Sequence, residues 1–89
     1  MNATKEEIAR ELKKILVEDL FVEIPTEKIN DTDSLSTDIG LDSVGHIELV
    51  SLIEERFGLK LDAREAAADM KTIGSVADYV WKNVQAARD

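Results

Sequence analysis

The chain has no cysteine and a single histidine among its 89 residues, which excludes disulfides and thiolate zinc sites and leaves too few imidazoles for a conventional zinc centre. No metal site is expected. No apolar run approaches the roughly 18 residues of a membrane-spanning helix, and the stretch from Met1 to Arg10 lacks the apolar region of a secretory signal. A cytoplasmic chain with no membrane partner is the expectation. Bases are scarce as well: eleven Lys and Arg stand against nineteen Asp and Glu, a formal charge of −8, whereas nucleic-acid phosphates require a basic face. Nucleic acid is excluded as a partner on that ground. What is present, 44% apolar and 34% charged residues, describes a soluble globular chain. Its length suffices for one core, so residues 1–89 are read as a single domain.

The acids are unevenly placed. Between Lys28 and Arg56 there is no base, while Asp31, Asp33, Asp38, Asp42, Glu48, Glu54 and Glu55 all fall there. That stretch carries seven of the eight net negative charges, and the remainder, with twelve acids and eleven bases, is nearly neutral. An acidic run is ordinarily a solvated surface. The elements on either side decide whether it is more than that.

Thr4 followed by Glu7 has the spacing of a capping box, so a first helix starts there. Ile8, Leu12, Ile15, Leu16 and Leu20 continue it as one apolar stripe. From Phe21 to Asp42 no period persists, and Pro25, Asn30, Gly40 and a cluster of Asp and Ser punctuate a long connection. So long a loop in so small a chain is either functional or pinned by its own side chains, for which Phe21, Ile24, Ile29, Leu35 and Ile39 are the candidates. A second helix is predicted over Ser43 to Phe57, ended by Gly58. Leu49, Val50, Ile53 and Phe57 fall on one side of it; Val44, Ile47, Glu48, Ser51, Glu54 and Glu55 fall on the other. Asp62 with Glu65 starts a short third helix over Ala63 to Ala68, and Thr72 precedes a fourth carrying Ile73, Val76, Ala77, Val80 and Val84. Tyr79 and Trp81 on this last helix read as packing or partial surface cover. The sum is an all-α fold, a small four-helix bundle of three longer helices and one short one.

Ser43 stands where the acidic loop turns into the second helix, with Gly40 supplying a tight entry and either Asp42 or Ser43 able to cap. A hydrolase reading of Ser43, His46 and a nearby Asp fails, because the nucleophile elbow needs Gly where Leu41 stands, and a bundle of this size has little room for an oxyanion hole. A calcium loop starting at Asp31 and Asp33 fails too: Leu35 and Ser36 occupy the fifth and sixth positions and Asp42 replaces the bidentate Glu.

The run Gly40-Leu41-Asp42-Ser43-Val44, followed by Ile47-Glu48-Leu49-Val50 and Ile53-Glu54-Glu55-Arg56-Phe57-Gly58, resembles the attachment segment of the acyl carrier proteins. The resemblance extends over the whole chain, to a last helix resembling Thr72-Ile73-Gly74-Ser75-Val76-Ala77-Asp78-Tyr79-Val80. It implies that Ser43 bears 4′-phosphopantetheine, with Asp42 the acid before it. It also implies that Glu48, Glu54 and Glu55 are carboxylates of a recognition helix. Leu41, Val44 and Ile47 beside the serine would add apolar docking contacts. The implied protein is a monomeric, non-catalytic carrier whose thiol holds acyl groups as thioesters in fatty-acid, polyketide or related secondary-metabolite biosynthesis. Its implied partners are a phosphopantetheinyl transferase, with coenzyme A and Mg²⁺, and acyl-loading and synthase enzymes with basic docking surfaces. In the family a tethered chain can slip between the helices, which would set His46 at the mouth of a pocket, although a capped or solvated histidine is the ordinary reading. Three residues depart from the family pattern: Val44 replaces the usual Leu, Gly45 stands where an acid is common, and His46 where a small polar residue is common. An aminoacyl or peptidyl carrier is the nearest alternative, and an unmodified acidic interaction domain with Ser43 as a mere cap the more distant one.

Overall fold

The computed structural model describes residues 4–88, the side chains of Ala63 and Arg88 excepted. Four α-helices follow one another: α1 (Lys5–Lys14), α2 (Ser43–Phe57), α3 (Ala63–Asp69) and α4 (Ile73–Arg88). Among the described residues the only extended pairing is an isolated bridge between Ser34 and Thr72. The expected all-α bundle is therefore the fold.

The capping box of α1 forms as the spacing predicts, with Glu7 N–H donating to Thr4 Oγ1 at 3.2 Å and Thr4 N–H donating to the Glu7 carboxylate at 3.3 Å. Glu6 and Glu7 sit in the first turn and Lys13 and Lys14 in the last, each sign facing the favourable end of the helix dipole. Beyond Lys14 the helix widens into a π-helical turn, Ile15–Asp19, closed by Leu20 N–H on Ile15 O at 3.1 Å and Val22 N–H on Leu16 O at 2.9 Å. Phe21 then takes a left-handed backbone, φ 58°. Here one sequence expectation is corrected. Phe21 does not pin the loop: it ends the helix in the left-handed position, its side chain turns outward and is 80% exposed, and Val22 packs against the core beside it.

The other loop anchors seat as expected. Ile29, Leu35 and Ile39 are buried and Ile24 is half-buried, with a short 3₁₀ turn at Thr26–Lys28 between them. The loop backbone is also stitched to the start of α4, through Leu35 N–H on Lys71 O (2.9 Å), Ile73 N–H on Asp33 O (3.1 Å) and Gly74 N–H on Asp31 O (2.7 Å). Loop carbonyls thus satisfy amides that the first turn of a helix leaves without internal partners. Thr72 and Ser75 complete the cap reciprocally, Ser75 N–H donating to Thr72 Oγ1 at 3.1 Å and Thr72 N–H to Ser75 Oγ at 2.8 Å. Gly74 is required by this close approach, since a Cβ there would lie 3.1 Å from Asp31 O.

The core is built from the predicted stripes: Ile8, Leu12, Ile15 and Leu16 meet Leu49, Ile53, Ile73, Val76 and Val80, all fully buried. Each such side chain stabilises the fold by about 1.5–3 kcal/mol relative to exposure. Tyr79 is buried where α4 meets α3, and its O–H donates to Glu65 at 3.3 Å. Burial first, and the Glu65 carboxylate second, push the phenol above its ordinary pKa. Because Glu65 is engaged there, the Asp62 cap of α3 is one-sided: Asp62 Oδ1 accepts from Arg64 and Glu65 amides at 2.9 and 3.1 Å. Trp81 is half-buried, with Lys5 4.7 Å above its ring. No helix among the described residues is long and apolar enough to cross a membrane.

Candidate functional site

The entry to α2 is assembled from short-range bonds. Ser34 N–H donates to Asp38 Oδ2 at 2.7 Å and Leu41 N–H to Leu35 O at 2.8 Å, and Gly40, at φ 87°, makes the reversal that an L side chain rarely adopts. Asp42 then caps the helix, its Oδ1 accepting from Gly45 N–H at 2.8 Å. Ser43 is consequently the first residue inside the helix and not its cap. Its side chain is exposed, and among the described residues its hydroxyl makes no hydrogen bond. With the Gly45 amide taken by Asp42, the Ser43 and Val44 amides have no partner among the described residues and stand at the positive end of the dipole.

Around this hydroxyl the surface is apolar before it is acidic. Val44 is 62% and Ile47 65% exposed, and Leu41 lies half-buried against the first turn. A Cβ at Gly45 would sit 3.2 Å from Leu41 Cδ2, so Leu41 covers the space a side chain at 45 would use. The carboxylates divide in a way the sequence does not show. Asp31 pairs with Lys13 at 3.0 Å; Asp33 and Asp38 accept from the Asn30 and Ser34 amides at 2.9 and 2.7 Å; Asp42 caps α2. Glu54, expected on the open face, is half-buried and accepts from Leu61 N–H at 2.9 Å. Of the seven acids, Glu48 and Glu55 alone are exposed with no such bond among the described residues. They stand on α2 together with Ile47 and Val44.

His46 is half-buried, and its Nε2 lies 3.1 Å from the Met70 carbonyl. A carbonyl only accepts, so this nitrogen carries the proton. His46 also borders an apolar groove of 210 Å³ between α2 and α3, with Ile47, Val50, Ser51, Ala66 and Ala67. The histidine is thus hydrogen-bonded, and its ring also borders a groove. A larger cleft of 620 Å³ runs along α1 beside Arg10, Lys13 and Lys14 and includes no residue of α2. No group of His, Asp and Glu able to hold a metal ion forms among the described residues.

An all-helical bundle presenting an exposed serine hydroxyl at a helix start is the architecture of a carrier domain. Residues 7–80 match the family described as the phosphopantetheine attachment site. The acyl carrier proteins of Rhodopseudomonas palustris (strain TIE-1) and Bradyrhizobium sp. (strain ORS 278) are each 39% identical over 79 residues, spanning 89% of this chain and 96% of the relative. The acyl carrier protein from Enterococcus faecalis superposes with a TM-score of 0.75 at 26% identity, over 91% of this chain and 99% of that one. The chain belongs to the acyl carrier protein family. The cofactor of that family is covalently attached 4′-phosphopantetheine. The free hydroxyl of Ser43, with two unpaired helix amides beside it, fits a group joined through an anionic phosphodiester.

Proposed function

We propose that Ser43 is the attachment residue and that the chain carries acyl intermediates between partner enzymes of fatty-acid, polyketide or related secondary-metabolite biosynthesis in the cytoplasm. The observation that carries this reading is the hydroxyl itself: Asp42 performs the capping, so Ser43 is left exposed and without a structural bond. Once bound, the prosthetic group supplies a thiol that holds the acyl group as a thioester. The chain's own residues supply position and recognition. Asp42 holds the first turn, and the Ser43 and Val44 amides favour a negative charge at the attachment oxygen. Leu41, Val44 and Ile47 offer apolar contact, while Glu48 and Glu55 steer basic partner surfaces towards it and Glu54 adds its charge from behind. The carrier acts as a monomer, residues 1–89 forming one domain.

The test is incubation of the purified chain with coenzyme A, Mg²⁺ and a promiscuous phosphopantetheinyl transferase, read by intact mass. One pantetheine adduct that disappears in Ser43→Ala is expected. An unmodified mass, or an adduct that survives the substitution, sinks the assignment.

A further inference from the structure

Three large apolar side chains stand exposed among the described residues. Val44 and Ile47 flank Ser43; the third, Phe21, is the most exposed of them at 80% and belongs to no site described so far. It lies near the other end of α2, because Asp19, two residues before it, accepts from Arg56 at 3.0 Å, and Arg56 is about 20 Å along the helix from Ser43. The surface around Phe21 is therefore separate from the attachment site.

A lone exposed apolar residue is ordinary. Phe21 is set apart by its backbone: it stands at φ 58° in the position that ends the helix, where glycine or asparagine is usual and a bulky side chain is an outlier. Two backbone bonds hold it there, Leu20 N–H on Ile15 O at 3.1 Å before it and Val22 N–H on Leu16 O at 2.9 Å after it, with Val22 packed against the core. The ring projects from this fixed backbone, straining the fold and burying almost nothing within it. An aromatic ring so mounted has only its own two torsions to lose on contact, which is the form of the anchors that dominate protein interfaces.

The charges beside it select the occupant. Glu18, three residues before, and Glu23, two after, are exposed and have no hydrogen bond or ion pair among the described residues. A ring between free carboxylates is matched by an apolar pocket rimmed with Lys and Arg. It is mismatched to a second copy of this chain, whose formal charge is −8, and to the anionic surfaces of membranes and nucleic acids. We propose that Phe21 is the anchor of a second docking surface, at the far end of α2 from Ser43, for a partner protein that buries the ring in an apolar pocket with a basic rim. The carrier reading is not needed for it.

Benzoylphenylalanine placed at position 21, and at the exposed loop position of Thr32 as a control, is photo-cross-linked in the protein's native cells. A protein taken at 21 and not at the control is expected; none taken overturns the proposal. Capture only identifies the partner, so the anchor is judged by affinity: with that protein purified, Kd is measured by fluorescence anisotropy for the parent, Phe21→Tyr, Phe21→Asn and the double variant Glu18→Lys with Glu23→Lys. Phe21→Asn is expected to weaken binding about tenfold or more, the factor of one buried aromatic side chain, while unfolding at a higher temperature than the parent. Phe21→Tyr stays within about threefold, and the charge reversal weakens binding several-fold. Equal affinity of the parent and Phe21→Asn overturns the anchor, and an unchanged or tighter complex on charge reversal overturns the basic rim. Phosphopantetheine transfer to Ser43, read by intact mass, is expected at the parent rate in Phe21→Asn; a slowed rate overturns the separation of the two surfaces. Failure of transfer in the parent itself overturns the carrier reading and leaves the anchor standing.

Discussion

A phenylalanine at φ 58° stores strain, because an L side chain with a full Cβ crowds its own backbone there, at a cost of order 1–3 kcal/mol. Phe21 receives nothing in return from packing, being 80% exposed. Phe21→Asn, a residue that tolerates the left-handed region, is expected to stabilise the chain by about 1 kcal/mol and to raise Tm by roughly 4–8 °C, as measured by thermal unfolding. A Tm that falls would show that the aromatic ring has a contact worth more than its strain. Glu48, Glu55 and Glu54 separate in the same residue-by-residue way. Glu48→Gln and Glu55→Gln should slow association with a basic partner while leaving stability within about 0.5 kcal/mol, since exposed charges contribute little to folding. Glu54→Ala should act mainly on stability, measured by urea unfolding, because the Glu54 carboxylate accepts from the Leu61 amide and alanine offers no acceptor in its place. The sequence marked all three carboxylates alike; helical spacing places them on one side, but only the chain's return after Gly58 shows which of them is occupied. Ser43 was visible in its sequence frame, and the identity of its cap was not, because Asp42 and Ser43 are equally good capping residues until the register is known.

At the scale of the elements, α2 runs between the ends its sequence announces, Asp42 capping one and Gly58 at φ 65° closing the other. Such ends are readable because they depend on the chemistry of one or two neighbouring residues. The π-helical turn of α1 was not readable, since Ile15, Leu16 and Leu20 satisfy an α-helical stripe equally well and the widening follows from how the chain leaves the core. The stitching of the loop to α4 was hidden for a similar reason: it uses backbone carbonyls of Asp31, Asp33 and Lys71, which carry no side-chain signature. Gly74 is the one sequence trace of it. Gly74→Ala is expected to cost about 1–3 kcal/mol in denaturant unfolding despite the better helix propensity of alanine, because the atom opposing its Cβ is backbone and cannot step aside. A stabilised variant would show that the loop strand moves freely. The α3–α4 contact answers to pH. Tyr79 has its pKa raised in the folded state, so the stability it contributes is complete below about pH 10, the pKa of an unfolded tyrosine, and is lost as pH rises through the higher folded value. Tyr79→Phe should therefore flatten alkaline unfolding followed by circular dichroism, and an unchanged alkaline limb would remove Tyr79 from the account.

Taken as a whole, the molecule measures 37 × 25 × 21 Å and concentrates seven of eight net charges in the loop and helix around one hydroxyl. Five of those seven acids are engaged in internal bonds, so the field is built from charges that also hold the site together. Association with a basic partner enzyme is expected to slow by about tenfold between low and near-molar salt, measured by stopped-flow, whereas dissociation changes little. Rates indifferent to salt would count against steering. The stitched loop has one further consequence, a mechanical one. Ser43 does not ride on a swinging segment: three backbone bonds and three buried side chains fasten the chain ahead of it to α4 and the core. Anything tethered there turns about a stationary pivot with no slack behind it. The reach of the cargo is then the length of the tether alone, and a partner enzyme has only to set the distance from its docking face to its active site to decide whether that cargo arrives.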